Sequence, residues 1–139
     1  MATWADVRRL ALALPGTAEG TSYGGQAWKV RDRAFVWERP LRRADLEHLG
    51  DAAPHGPVLG AAVADEGVKR ALVADDPAVY LTTPHFDGYA AVLVRLDAID
   101  VGELAELVTE AWLAKAPKRL AQQHLAAERS GPATRDRQG

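Results

Sequence analysis

A chain of 139 residues, 47% hydrophobic and 26% charged, is long enough to close one apolar core, and its composition excludes a fibrous or disordered protein. The absence of cysteine excludes disulfides, thiol nucleophiles and the commonest structural zinc ligand. A formal net charge of -2 and a pI of about 6.1 exclude the uniformly positive field of a dedicated nucleic-acid binder, so any contact with DNA must rest on a local patch.

Thr3 stands at an N-cap position with Asp6 three residues on, and Trp4, Val7, Leu10, Ala11 and Leu14 share one helical face. This predicts a helix from Trp4 to Leu14, ended by Pro15 and Gly16. Asp6, Arg8 and Arg9 interrupt its apolar residues too often for a signal peptide or a membrane span, which makes a cytoplasmic location the expectation. The stretch from Thr17 to Gly25 reads as a loop. Two β-favouring runs, Ala27 to Val30 and Ala34 to Trp37, flank the charged turn Arg31, Asp32, Arg33 and predict a hairpin. Strand alternation sends Trp28 and Val30 to one face and Lys29 to the other, and splits Phe35 and Trp37 from Val36. Trp28 then reads as core rather than as a stacking platform.

Between Pro40 and the Pro54 to Pro57 loop, Arg42 to Gly50 reads as a short helical or irregular insertion. Val58 to Val63 suits a buried strand, and Asp65 caps a short helix whose Val68, Ala71 and Leu72 share a face until Pro77 stops it. Val79 to Thr82 and Ala91 to Leu96 are two further strands, paired antiparallel across the turn-rich segment from Thr83 to Tyr89. Asp100 and Glu103 cap a long helix with the stripe Leu104, Leu107, Val108, Ala111 and Trp112. Lys118 to Arg129 can extend it after Pro117, and the polar segment from Ser130 to Gly139 is expected to be disordered. The expected organisation is one domain over 1–121 and a C-terminal extension over 122–139.

The ordered set of short strings resembles the MmcQ/YjbR family. They are Trp4 and Val7 with Leu10 to Gly16, Glu19 with Ser22 to Gly24, Ala27 to Val30, Thr82 to His85, Gly88 to Arg95, and Glu110 to Trp112 with Ala116 to Leu120. The departure is the insert around Arg42 to Pro57. The resemblance implies a frataxin-like (CyaY-like) α+β fold: an antiparallel sheet of about five strands, with the N- and C-terminal helices on one face. A sheet of four strands with Arg42 to Gly50 helical is the runner-up. The resemblance also implies a DNA-binding class, with no catalytic residue and no target sequence attached.

Candidate chemistry is sparse. Lys29, Arg31, Arg33, Arg39, Arg42, Arg43, Lys118 and Arg119 can neutralise phosphates, and the competing reading is a solvated face interleaved with Asp32, Glu38, Asp45 and Glu47. His85 and Asp87 suggest a general base with Ser22 as a distant nucleophile, but Ser22 lacks the strand-turn-helix setting of such a nucleophile, and the segment reads better as a structural turn. Ser22, Tyr23, His85 and Tyr89 remain as an alternative pocket for a small molecule or a protein partner. His48, His55, His85 and His124 lack the spacing that brings two ligands to one helical face, so no metal is expected. Gly24 and Gly25 form no phosphate-cradling fingerprint, so no cofactor is expected either. The sequence therefore predicts a non-enzymatic binding protein that contacts DNA weakly through its backbone, and leaves the oligomeric state open.

Overall fold

The computed structural model describes residues 2–22 and 25–126. The segment expected to be disordered, Ser130 to Gly139, lies outside them, as do Tyr23 and Gly24.

Helix α1, Trp4–Leu12, opens on a reciprocal capping box: Thr3 Oγ1 accepts from the Asp6 backbone N–H, and the Asp6 carboxylate accepts from the Thr3 backbone N–H. That backbone donor, with Arg9, holds the Asp6 carboxyl below the usual carboxylate range. Strands β1 (Thr17–Ser22), β2 (Gly25–Val30) and β3 (Arg33–Glu38) follow, then helix α2 (Arg43–Leu49) and a 3-10 turn at Gly50–Ala52. The chain continues through β4 (Val58–Ala62), α3 (Glu66–Asp75), β5 (Tyr80–Leu81), a 3-10 turn at Pro84–Phe86, β6 (Ala91–Arg95) and α4 (Val101–Lys115). A last helix, α5, covers 118–126.

The six strands form one sheet in the order β1-β2-β3-β4-β6-β5, every neighbouring pair antiparallel. The five expected strands are present, and β1 is the addition where the sequence suggests a loop. Its residues, Thr-Ala-Glu-Gly-Thr-Ser, carry no apolar alternation because an edge strand can be held by its ladder alone, here from Thr17 opposite Val30 to Ser22 opposite Gly25. The β2–β3 turn needs two left-handed residues, and Arg31 (φ 50) and Asp32 (φ 67) supply them, giving the twist that a two-residue hairpin prefers.

One correction concerns β3. The register slips between Trp28 and Lys29, where Trp28 faces Val36 but Lys29 faces Ala34, leaving Phe35 as the extra residue of a β-bulge. The bulge turns Phe35 and Val36 to the same face, both fully buried with Trp28, while Trp37 goes to the other.

The first face is covered by α1 and α4, as the resemblance implies. Its core gathers Trp28, Val30, Phe35, Val36, Leu59 and Val94 from the sheet against Val7, Leu104, Val108 and Trp112. Both large indoles have polar partners: Trp28 Nε1 donates to Glu19 at 3.1 Å and Trp112 Nε1 to the Pro15 carbonyl at 3.0 Å.

The second face holds a smaller core. Val58, Leu81, Phe86, Ala91 and Leu93 are buried there with Trp37, Leu41 and Leu49 packed against them. The insert thus roofs the face opposite α1 and α4. Helix α3 also differs from expectation, because Val68 and Ala71 are exposed and the buried residue is Lys69.

Gly60 sits under the Trp37 ring, and a Cβ there would land inside the indole. Gly60→Ala is expected to lower stability by about 1–3 kcal/mol through overpacking. Urea unfolding should show a lower midpoint with an unchanged slope, and an unchanged midpoint would contradict this packing.

Candidate functional site

The fold divides the predicted basic residues into three groups. Arg31 and Arg33 lie exposed at the β2–β3 turn, and Arg33 Nη1 reaches the Lys115 carbonyl at the end of α4 at 3.5 Å. Position 16, beside the end of α1, lies next to both Leu120 of α5 and Val30 of β2. The hairpin tip and the α4–α5 junction are therefore neighbours, and Arg31, Arg33, Lys118 and Arg119 share one end of the molecule. Lys115, which the sequence reading passes over, joins them. Lys29 is half-buried on the strand leading to that tip.

Arg42 and Arg43 are exposed at the opposite end of β3, at the start of α2. Arg39 does not belong to a phosphate-binding surface. It is 9% exposed, and its Nη2 pairs with the Asp45 carboxylate at 3.0 Å, both side chains being nearly dry. Its Nη1 donates to the Pro40 carbonyl, and its guanidinium stands 5.2 Å from the centre of the Phe86 ring. Asp45 also accepts from the Arg42 backbone N–H at 2.9 Å, which ties the first turn of α2 to the sheet. Burial works against the Asp45 charge, but the Arg42 amide and the Arg39 guanidinium outweigh it and hold its carboxyl below the usual range.

The alternative pocket is not assembled. Ser22 ends β1 at one edge of the sheet, whereas His85 and Tyr89 follow β5 at the other, five strand spacings or roughly 24 Å away. Tyr23 lies outside the described residues. His85 is exposed with its ring edge-on to Phe86, and Tyr89 is 63% exposed. A residue that the sequence reading passed over organises this loop. Lys69 is 4% exposed, and its Nζ donates to the Phe86 and Tyr89 carbonyls at 2.8 Å each while pairing with Glu66 at 3.0 Å. Two of its hydrogen bonds go to carbonyls of one loop and its charge is paired on α3, so Lys69 is a strap.

A groove of about 750 Å³ opens between α3 and α4. Its floor is Val63, Leu72, Tyr80 and Leu107, and its rim carries Asp100, Glu103, Glu106 and Glu110. The Tyr80 hydroxyl donates to Glu103, and burial followed by that carboxylate raises the phenol well above its ordinary pKa. Among the described residues no group of three or more His, Cys, Asp or Glu is placed to hold a metal, and no helix is long and apolar enough to cross a membrane.

The model of the YjbR family matches residues 12–114. The chain belongs to the YjbR family. It is 55% identical over 129 residues to the uncharacterised protein Rv2570 of Mycobacterium tuberculosis, covering 91% of this chain and 98% of that one. The uncharacterised protein Mb2600 of Mycobacterium bovis matches to the same extent. Among solved structures, the Deinococcus radiodurans protein DR2400, of the family DUF419, superposes with a TM-score of 0.61 over 81% of this chain and 78% of that one. At 21% identity that likeness shows a shared fold. The YjbR match spans both faces of the sheet, the insert included.

Asp45 stabilises the fold fully at pH values above the carboxylate's unfolded value of about 4 and loses that contribution as pH falls through its lower native value. Asp45→Asn is expected to flatten the acid limb of the melting temperature and to cost about 3 kcal/mol at neutral pH, since Arg39 is left buried without its partner. An unchanged acid limb would remove the ion pair from the account. Lys69→Met takes the ammonium from both carbonyls, leaving Phe86 O only its bond from the Tyr89 N–H; a loss of about 2 kcal/mol is expected, with faster amide exchange in residues 83–90 read by mass spectrometry. Wild-type protection there would assign the loop's order to other contacts.

Proposed function

We propose that the chain is a non-catalytic binding domain whose basic end contacts the phosphate backbone of DNA. One observation carries the reading: Arg31, Arg33, Lys115, Lys118 and Arg119 share an end of the molecule, and none of them has an ion-pair partner among the described residues. Elsewhere the exposed arginines are largely committed, Arg8 to Glu19, Arg9 to Asp6 and Arg70 to Glu66.

Cations near a helix C-terminus also complement its dipole, and that is the plainer account of Lys115 and Lys118. The dipole end carries about half a negative charge, and Asp32 adds one more, so five cations leave a clear positive excess. That excess suits phosphates contacted by position rather than base edges read in a groove. The absence of a catalytic step is part of the same proposal, supported by the separation of Ser22 from His85 across the sheet. A DNA partner also implies a cytoplasmic location.

Five phosphate contacts correspond to a slope of roughly -4.5 in log affinity against log salt. Fluorescence anisotropy with a labelled mixed-sequence duplex should give micromolar, salt-sensitive binding at low salt. Arg31→Ala with Arg33→Ala should reduce the slope by roughly 2, while Arg42→Ala with Arg43→Ala should leave it unchanged. No binding at low salt, or equal effects of both pairs, would sink the reading.

A further inference from the structure

The groove between α3 and α4 has a chemistry opposite to that of the basic end, and the DNA reading does not use it. Its floor is apolar, with Leu72 from α3 and Leu107 from α4, and Val68 is 39% exposed at its edge. Its rim is acidic. Glu103, Glu106 and Glu110 follow one another at i, i+3 and i+7, which places them on one face of α4 along about 10.5 Å. Neither Glu106 nor Glu110 has an ion-pair partner among the described residues. Glu103 is turned inward by the Tyr80 hydroxyl.

Each feature narrows the occupant. A row of carboxylates repels phosphates, so nucleic acid does not fit here. A small organic cation would meet one carboxylate and leave the rest of the row unanswered. A metal would need ligands that converge, whereas residues spaced along 10.5 Å of helix do not. The remaining match is a rod of similar length, carrying apolar side chains toward the floor and positive charges toward the rim.

We propose that this groove docks an amphipathic basic helix of a partner protein, its apolar residues at i, i+3 or i+4, and i+7 lying over Val68, Leu72 and Leu107, and its lysines or arginines facing Glu106 and Glu110. Two to three helical turns are enough to span the carboxylate row. Docking here leaves the basic end at the far terminus of α4 free, so a partner helix and DNA can be held together.

The test uses the full chain and a fluorescein-labelled 14-residue peptide of leucines and lysines in helical pattern, with a second peptide in which every lysine is glutamate. Anisotropy should show salt-sensitive binding of the lysine peptide and none of the glutamate peptide. Glu106→Lys with Glu110→Lys should weaken binding at least about tenfold through its charges, and Val68→Glu should weaken it through the floor. All three positions are exposed or at the groove's edge, and circular dichroism checks that these variants fold. Glu106→Gln with Glu110→Gln provides a milder version with a smaller loss. Arg31→Ala with Arg33→Ala should leave peptide binding unchanged while weakening DNA, which separates this proposal from the preceding one. The proposal is overturned if the lysine peptide does not bind, if it binds the charge-reversed protein equally, or if spermidine displaces it more effectively than salt of equal ionic strength. It is likewise overturned if sedimentation shows a dimer that Glu106→Lys with Glu110→Lys dissociates, since the groove would then be filled by a second copy.

Discussion

A sheet whose central strand is buried on both faces requires two cores, and β4 imposes that requirement. All five of its residues, Val58 to Ala62, are buried. Leu59 and Ala61 turn toward the helices α1 and α4, while Val58 and Gly60 turn toward the insert. The helices cover only the first of these faces. Without α2 and the Pro84–Phe86 turn, Trp37 and Leu93 would stand in water, a cost of about 2 kcal/mol for each such side chain. The insert is therefore a second layer of the fold rather than an appendage.

That layer is fastened by charge. The chain leaves β3 at Glu38, and within one residue Arg39 is committed to Asp45, which in turn holds the first turn of α2. A buried ion pair is weak evidence of net stability, because desolvation consumes much of the attraction. Its effect here is directional: the pair and the Arg42 amide hold the first turn of α2 against the end of β3, and Leu41 and Leu49, on either side of that turn, pack against the second core. Lys69 does the equivalent for the loop after β5, drawing two carbonyls onto α3. Cations that look like surface charge in the sequence thus serve as internal fasteners.

The charges that remain outside are arranged along α4. Carboxylates line the rim from Asp100 to Glu110, and Lys115 with Lys118, Arg119 and the β2–β3 turn occupies the helix end, beginning about 7.5 Å of helix rise beyond Glu110. A net charge of -2 therefore conceals two surfaces of opposite sign. The YjbR relatives in Mycobacterium carry no described activity, so the functional argument rests on this polarity and on what each end can accept chemically.

Elements with a strong local cause were legible in the sequence. The capped helices α1 and α4, the five apolar strands, the β2–β3 hairpin and the core position of Trp28 follow from periodicity, capping and alternation, which act over a few residues. The ordered strings along the chain also carried the family. Local reasoning could not supply what depends on partners distant in the chain. Strand β1 has no apolar signature because β2 supplies its hydrogen bonds, and the bulge at Phe35 appears only once β2 sets the register. Arg39 reads as part of a charged surface and Lys69 draws no reading, because six residues separate Arg39 from Asp45, and 17 and 20 separate Lys69 from the carbonyls it holds. The grouping of Arg31 and Arg33 with Lys115, and the groove between α3 and α4, exist only where separate elements meet. Composition and periodicity determine which residues must leave water; the tertiary structure decides which charges go with them, because an ion pair's energy depends on a distance that no sequence spacing sets.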